Sequence, residues 1–339
     1  MSTTGEPWHI VGQGLAGTCL AWHFLDRGAE CVISSDGRDG SSRVAAGLVN
    51  PVTGKNFAPS WRVAEFLPEA AAFYQKIESL LGIRCWHPLP VVRLARDAKE
   101  WRRIEERLAR PDTKPWVVGS VGPPPGWRAA VELCGGGRLD TRMFLDASRA
   151  HFEGLGIHRR AGGDSEALGI LPAASERTVL CQGASGLLEN QLGPHRCAKG
   201  EILTLEAPGW AQAQIRIGGG GWLVPIGGGR FKAGSTYEWD TLDSTPTDAG
   251  LERVTEIARA LGGDDHFTIL AHEAGVRPIL RRSEPLIGRH PVGGWVFNGL
   301  GSKGSLYAPG CGRRLATACL DGTAIEAELD FQTFADRRI

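Results

Sequence analysis

Residues 9–11 form an apolar run that stops at Gly12; an amphipathic stretch follows, then a second apolar run, Cys31-Val32-Ile33. That order predicts strand, helix and strand over residues 9–34. The clearest helical signal comes later. Apolar residues recur at positions 63, 66, 67, 70, 73, 74, 77, 80 and 81, a stripe along one face of a helix over 63–81. Strand is expected at 86–94 and helix at 99–108, while Pro and Gly break 112–137 into short strand candidates. A helix over 140–153 begins at Asp140, a side chain suited to capping its N-terminus. Residues 178–182 read as a buried strand ending at Gly183. In 201–205, 214–217, 222–225 and 231–237 the alternation between glycine turns is that of antiparallel strands. A helix over 248–261, strands near 267–280 and 295–298 and a last helix over about 305–320 follow. The tail beyond Asp321 is expected as a surface extension.

The first strand and helix carry Gly12-Gln13-Gly14-Leu15-Ala16-Gly17. Gly12 suits a tight turn, Gly14 leaves room for the backbone to approach a pyrophosphate, and Gly17 lets the helix pack against the sheet. The helix then points its positive end at the phosphates. Asp36 lies 19 residues beyond Gly17, where the second strand should end and a carboxylate can accept from a ribose diol. This is a dinucleotide signature that does not by itself choose between FAD and NAD. A second glycine-rich segment, residues 299–309, stands almost a full chain away.

These patterns predict an α/β fold: a Rossmann-like dinucleotide-binding domain interrupted by a substrate domain on a mixed, largely antiparallel sheet. The expected division gives 1–84, 138–200 and 274–339 to the first domain, and 85–137 with 201–273 to the second. At 339 residues the chain is longer than a single core usually sustains.

Composition narrows the partners. Lysine plus arginine equals aspartate plus glutamate, 38 each, so no global field attracts nucleic acid or acidic membranes. The most basic stretch, residues 93–110, interleaves Asp97, Glu100, Glu105 and Glu106 at helical spacing and reads as a solvated helix face. There is no signal peptide pattern and no 18-residue apolar span for a membrane. Eight cysteines are scattered without a CxxC pair, so neither a metal site nor a disulfide framework is expected and a cytoplasmic location is the default.

Five segments together resemble the glycine/D-amino-acid oxidase superfamily of flavoenzymes over nearly the whole chain. They are the Gly12–Gly17 signature with Asp36 and the small-residue loop Ser41-Ser42-Arg43-Val44-Ala45-Ala46-Gly47-Leu48. Val179-Leu180-Cys181-Gln182-Gly183 is third, and Ala274-Gly275-Val276-Arg277-Pro278 with Glu284-Pro285-Leu286-Ile287-Gly288 is fourth. The fifth is Gly299-Leu300-Gly301-Ser302-Lys303-Gly304-Ser305. The chain resembles bacterial glycine oxidases and monomeric sarcosine oxidases. Its last loop is also similar to the FAD domain of the bifunctional enzyme that trims carboxymethylaminomethyl-uridine in tRNA. The resemblance implies FAD, held by Gly12, Gly14, Leu15, Ala16, Gly17, Asp36, Ser41, Ser42, Arg43, Ala46, Gly47, Leu48, Gly183 and Gly299, Gly301, Ser302, Lys303, Gly304 and Ser305. It also places the N-terminus of the last helix at the flavin C2 carbonyl, where negative charge gathers on reduction, a contribution of about 1 kcal/mol. Relatives that attach FAD covalently use a His before the Ala-Ala-Gly loop or a Cys near the Arg-Pro segment. Val44 stands at or beside the first position and no cysteine lies between 198 and 310, so non-covalent FAD is expected.

The same resemblance names candidate catalytic residues. Arg277 matches the arginine that clamps a substrate carboxylate, with Arg281 and Arg282 as neighbouring cations. Lys303 matches a lysine contacting that carboxylate, and Lys232 a lysine that activates oxygen over the flavin. Trp222 falls where glycine oxidases place a tyrosine, and its bulk points to a different amine. The activity implied is oxidation of a C–N bond in a small amino acid or secondary amine, with O2 or another electron acceptor. The alternatives are removal of a carboxymethyl group from a tRNA base, which zero net charge disfavours, and a flavin-binding protein without activity.

Overall fold

The computed structural model describes residues 6–160, 175–189, 192, 195–280, 284–291 and 293–336; Arg281 and Arg282 lie outside them. A six-stranded sheet has the order His158–Arg160, Cys31–Ser35, Trp8–Val11, Thr178–Leu180, Trp295–Asn298, Leu286–Arg289. All neighbours are parallel except the last two strands. The C-terminal ends of Trp8–Val11, Cys31–Ser35 and Thr178–Leu180 therefore open on the same edge, where such sheets bind ligands.

The helix Leu15–Asp26 departs from the amphipathic expectation. Nine of its 12 residues are buried, because the sheet covers one side and the helix Gly304–Asp321 another. A Cβ at Gly312 would sit 3.4 Å from the backbone of Cys19 and Leu20, so the absent side chain sets how closely these helices approach. Gly304–Asp321 carries Pro309, which removes the donor that would serve the Ser305 carbonyl one turn earlier. The buried Tyr74 hydroxyl donates to that carbonyl at 3.0 Å instead. Tyr74 belongs to Val63–Leu81, whose buried residues Val63, Phe66, Ala70, Phe73, Tyr74 and Ile77 follow the helical stripe read from the sequence.

The second large sheet has eight strands, in the order Thr268–Arg277, Ala198–Glu206, Arg230–Gly234, Gly221–Gly227, Ile215–Gly218, Val91–Ala95, Ala129–Leu133, Val117–Val121. Only Ile215–Gly218 and Val91–Ala95 pair in parallel. The two strands Ala198–Glu206 and Thr268–Arg277 carry this sheet across the expected boundaries at 200/201 and 273/274. Helix Asp248–Gly262 covers one face, burying Val254, Ile257, Ala258 and Leu261 against Leu203, Leu223, Phe231 and Ala233.

Two local expectations need correction. Residues 86–94 are two strands, Trp86–Pro88 and Val91–Ala95, in different sheets; Leu89 and Pro90 separate them. The tail beyond Asp321 is not a surface extension: Leu329 and Phe331 are buried against the strand Leu286–Arg289, and the Ile287 N–H donates to the Leu329 carbonyl at 2.9 Å. Among the described residues no helix is long and apolar enough to cross a membrane.

Candidate active site

A single connected cleft of about 1410 Å³ runs from the edge of the first sheet to the face of the second. One small-molecule site usually occupies ~300–1,000 Å³, so the volume suits a large cofactor with a substrate beside it. At one end lie Gly12, Gly14, Leu15 and Ala16. Gly12 has φ +107°, and a Cβ there would lie 2.4 Å from the Cys181 carbonyl oxygen, so only glycine makes this turn beside the neighbouring strand. The first turn of Leu15–Asp26 leaves N–H groups without intrahelical acceptors. The Leu15 N–H donates to Ser42 Oγ at 3.2 Å. Gly17 does not line the cleft; a Cβ there would lie 1.9 Å from the Gly12 carbonyl oxygen, so it sets the packing of helix on turn. Asp36 directly follows the strand Cys31–Ser35 and lines the cleft, where Arg38 Nε donates to its carboxylate at 2.5 Å.

Ser41, Ser42, Arg43, Ala46, Gly47 and Leu48 line the middle of the cleft. Gly47, at φ +67°, crosses so close to the strand Gly137–Leu139 that a Cβ would meet the Leu139 carbonyl oxygen at 1.8 Å. The Arg43 guanidinium is held by Asp146 at 2.6 and 3.1 Å and by Asp39 at 2.7 Å, so it braces the loop. Gly183, Gly301, Ser302, Lys303, Gly304 and Ser305 complete this part of the wall, whereas Gly299 stands behind it. Asn298 joins the segments: its Nδ2 donates to the Gly183 carbonyl at 2.9 Å and its Oδ1 accepts from the Gly299 N–H at 2.8 Å. The two glycine-rich ends of the chain meet in one wall.

Arg277 ends the strand Thr268–Arg277 and faces the cleft while only 9% exposed. Its Nη2 donates to Ser235 Oγ at 2.6 Å, and Nη1 donates to the carbonyls of Lys199 and Thr236 at 3.2 and 3.3 Å. The guanidinium carbon lies 4.2 Å from the centroid of the Tyr237 ring. Gly200 is required beside it, since a Cβ there would come within 1.9 Å of Nη2. No carboxylate pairs with Arg277 among the described residues, and burial lowers its pKa. Hydrogen bonds to neutral oxygens orient this cation and leave its charge uncompensated. Lys303 also lines the cleft; its Nζ donates to Thr53 Oγ1 at 3.1 Å, and burial lowers its pKa.

Trp222 lines the cleft with its indole across Gly234 of the paired strand, where a Cβ would come within 2.6 Å of the ring. It therefore packs the sheet and shapes the cavity. Lys232 does not line the cleft. Its buried Nζ donates to the Val44 carbonyl at 2.8 Å, from behind the small-residue loop, with Glu273 3.8 Å away. Burial lowers its pKa, against the attraction of Glu273.

Several wall residues escaped the sequence reading. Gln13 donates through Nε2 to the Leu145 carbonyl at 3.1 Å and accepts from Arg149 Nε at 2.6 Å, which brings Arg149 to the cleft. The signature treats Gln13 as a spacer, and nothing local flags Arg149 or Asn298. The basic stretch does form a helix, Ala98–Leu108, capped by Asp97, but it is not simply a solvated face: Arg93, Arg96 and Arg103 line the cleft.

The fit to a flavin dinucleotide rests on these observations: a glycine turn that excludes side chains, helix N–H groups opening on it, an acid at the second strand end, and small residues along the cleft. A family model described as FAD dependent oxidoreductase matches residues 8–318. Glycine oxidase of Pseudomonas putida is 26% identical over 344 residues, covering 88% of this chain and 90% of that protein. The tRNA 5-methylaminomethyl-2-thiouridine biosynthesis bifunctional protein MnmC of Hahella chejuensis is 25% identical over 369 residues, 94% of this chain; the chain spans 57% of that relative's length. Iminodiacetate oxidase from Chelativorans sp. has the same fold, with a TM-score of 0.74 at 22% identity over 94% of this chain and 96% of that one. The chain belongs to the DAO family of FAD-dependent oxidoreductases.

Proposed function

We propose that this oxidoreductase acts on the C–N bond of a small amino acid or secondary amine that carries a carboxylate. When bound, FAD would supply the hydride acceptor, flavin N5, so that the amine would lose a hydride and a proton and become an imine. Water then splits the imine into an oxo acid and an amine. The single observation that carries this reading is the buried, cleft-facing Arg277 guanidinium, which has neutral hydrogen-bond partners and no carboxylate partner among the described residues. A substrate carboxylate supplies the missing charge through two parallel charge-assisted bonds. Arg277 then fixes where the carbon to be oxidised sits, and positioning of this kind accounts for much of the rate. Lys303, on the same wall, contributes a second positive charge, and Trp222 shapes the cavity that receives the rest of the amine. We assign Lys232, behind the loop, the electrostatic stabilisation of oxygen as it gains an electron.

Anaerobic bleaching of the flavin, screened against amino acids, N-methyl amino acids and polyamines, tests the reading. Reduction by carboxylate-bearing amines is expected; reduction by polyamines alone would remove Arg277 from the mechanism. The similarity to MnmC supports a second reading, the same oxidation on a carboxymethylated base in tRNA. A modified tRNA added to the same screen separates the two.

A further inference from the structure

Arg93 on the strand Val91–Ala95, Arg96 just beyond that strand and Arg103 on the helix Ala98–Leu108 line the cleft outside the flavin signatures. Among the described residues lining the cleft with them, Glu100 is the carboxylate beside this cluster. Its Oε1 accepts from Arg93 Nη2 at 3.3 Å, and its Oε2 is taken by the Arg96 backbone N–H at 3.0 Å. Asp97 is occupied as the helix cap, accepting from the Glu100 N–H at 2.7 Å, and does not line the cleft. Arg93 is half-buried, with its Nε enclosed and without a hydrogen-bond partner. Arg96 is exposed, and its guanidinium lies between the Trp127 ring and Gly219. Its carbon lies 5.4 Å from the Trp127 ring centroid, and Gly219 leaves it room, since a Cβ there would come within 2.4 Å of Nη2.

We infer that this arginine cluster is a second anion subsite, and that the substrate is an amine with an acidic group, carboxylate or phosphate, at the end remote from the bond oxidised. The inference rests on the proposed reading that Arg277 holds the first carboxylate. One carboxylate cannot balance three guanidinium groups, and Arg93 is already held by Glu100, which reduces the ordering cost of binding. A small acid fits better than a polynucleotide backbone. Arg93 sits half-buried inside the cleft, where a small acid reaches it more readily than a phosphate of an extended backbone.

The test uses the FAD-loaded enzyme and N-alkylglycines whose tails, of graded length, end in a carboxylate, a phosphate or an uncharged carboxamide. Affinity is read calorimetrically under anaerobic conditions, and flavin reduction is read separately. At the best tail length an acidic end should bind about ten-fold or more tighter than the carboxamide, as expected for charge-assisted hydrogen bonds. In the double variant Arg96→Gln/Arg103→Gln the ratio of acidic to carboxamide affinity should fall close to one; the carboxylate and phosphate arms identify which acid is preferred. Equal affinities for acidic and carboxamide tails in the parent overturn the subsite, whether or not the flavin is reduced. An acidic preference that survives the double variant also overturns it. So does binding of unfractionated tRNA that the double variant abolishes while no small acid is preferred. Failure of every compound to reduce the flavin counts against the proposed oxidation, not against the subsite, which the affinities decide.

Discussion

Two glycines of the N-terminal signature should separate cofactor binding from folding. Gly14 has φ −84° and ψ −167°, a backbone that any residue adopts. A Cβ there would meet only Ser42 Oγ, at 3.1 Å, so Gly14→Val asks the protein for a small adjustment of one side chain. What it fills is the cleft in front of the helix N-terminus. If overpacking there costs ~1–3 kcal/mol, borne by the cofactor, the FAD Kd rises roughly 5- to 150-fold. Gly17 is the opposite case. A Cβ at 1.9 Å from the Gly12 carbonyl oxygen forces the helix away from the turn, so Gly17→Ala should destabilise the apoprotein by about 3 kcal/mol or more. The assay is FAD titration of apoprotein by fluorescence quenching, with thermal melts of the same apoproteins followed by far-UV circular dichroism. Gly14→Val should melt like the parent and bind FAD weakly, and Gly17→Ala should melt well below it. Parental FAD affinity in a folded Gly14→Val protein would refute the assignment of this turn to the pyrophosphate.

Arg277→Lys keeps a positive charge but loses the two-point contact, so substrate affinity should fall roughly ten- to hundred-fold with the flavin spectrum intact; stopped-flow reduction measures it, and the double variant with Lys303→Met should cost less than the two singles combined. His23 is held neutral by burial, its pKa lowered from 6.5 to about 4, while its Nε2 donates to the Pro309 carbonyl at 2.9 Å. Below pH 6.5 the unfolded chain takes up this proton before the folded one does. Up to roughly 3 kcal/mol of stability should therefore be lost between pH 6.5 and about 4, and denaturant melts across that window should show a shallower loss in His23→Gln. Acid precipitation should leave FAD in the supernatant, since Cys181, the cysteine lining the cleft, is a thiol whose pKa burial raises far above neutrality; flavin retained on the pellet would refute non-covalent attachment.

The elements governed by short-range patterning were legible in the sequence. The stripe from Val63 to Leu81 gives that helix its ends, and strand 295–298 and the cap at Asp140 fall where the pattern puts them. The glycine signatures also named much of the cleft wall, because close backbone approach leaves a compositional mark. Features created by tertiary packing left none. Leu15–Asp26 is buried nearly all round by a helix some 300 residues away in sequence. Lys232 sits on an alternating strand, yet its ammonium reaches a loop carbonyl 188 residues away in sequence. Arg93 looks like surface charge until the strand Val91–Ala95 joins the large sheet and carries it, with Arg96 and Arg103 after it, to the cleft. Asn298 is one residue in an apolar strand, and its bond to Gly183 depends on strand order.

The central claim is that an uncompensated guanidinium in the cleft selects amines by their carboxylate. The most direct measurement is anaerobic stopped-flow reduction of the FAD-loaded enzyme by matched pairs: an N-alkylglycine and its carboxamide, alike in size and differing in the charge offered to Arg277. The account predicts that the acid reduces the flavin at least ten-fold more efficiently, a difference that shrinks in Arg277→Met. Equal reduction by acid and amide, or a preference for the acid that survives Arg277→Met, would contradict it.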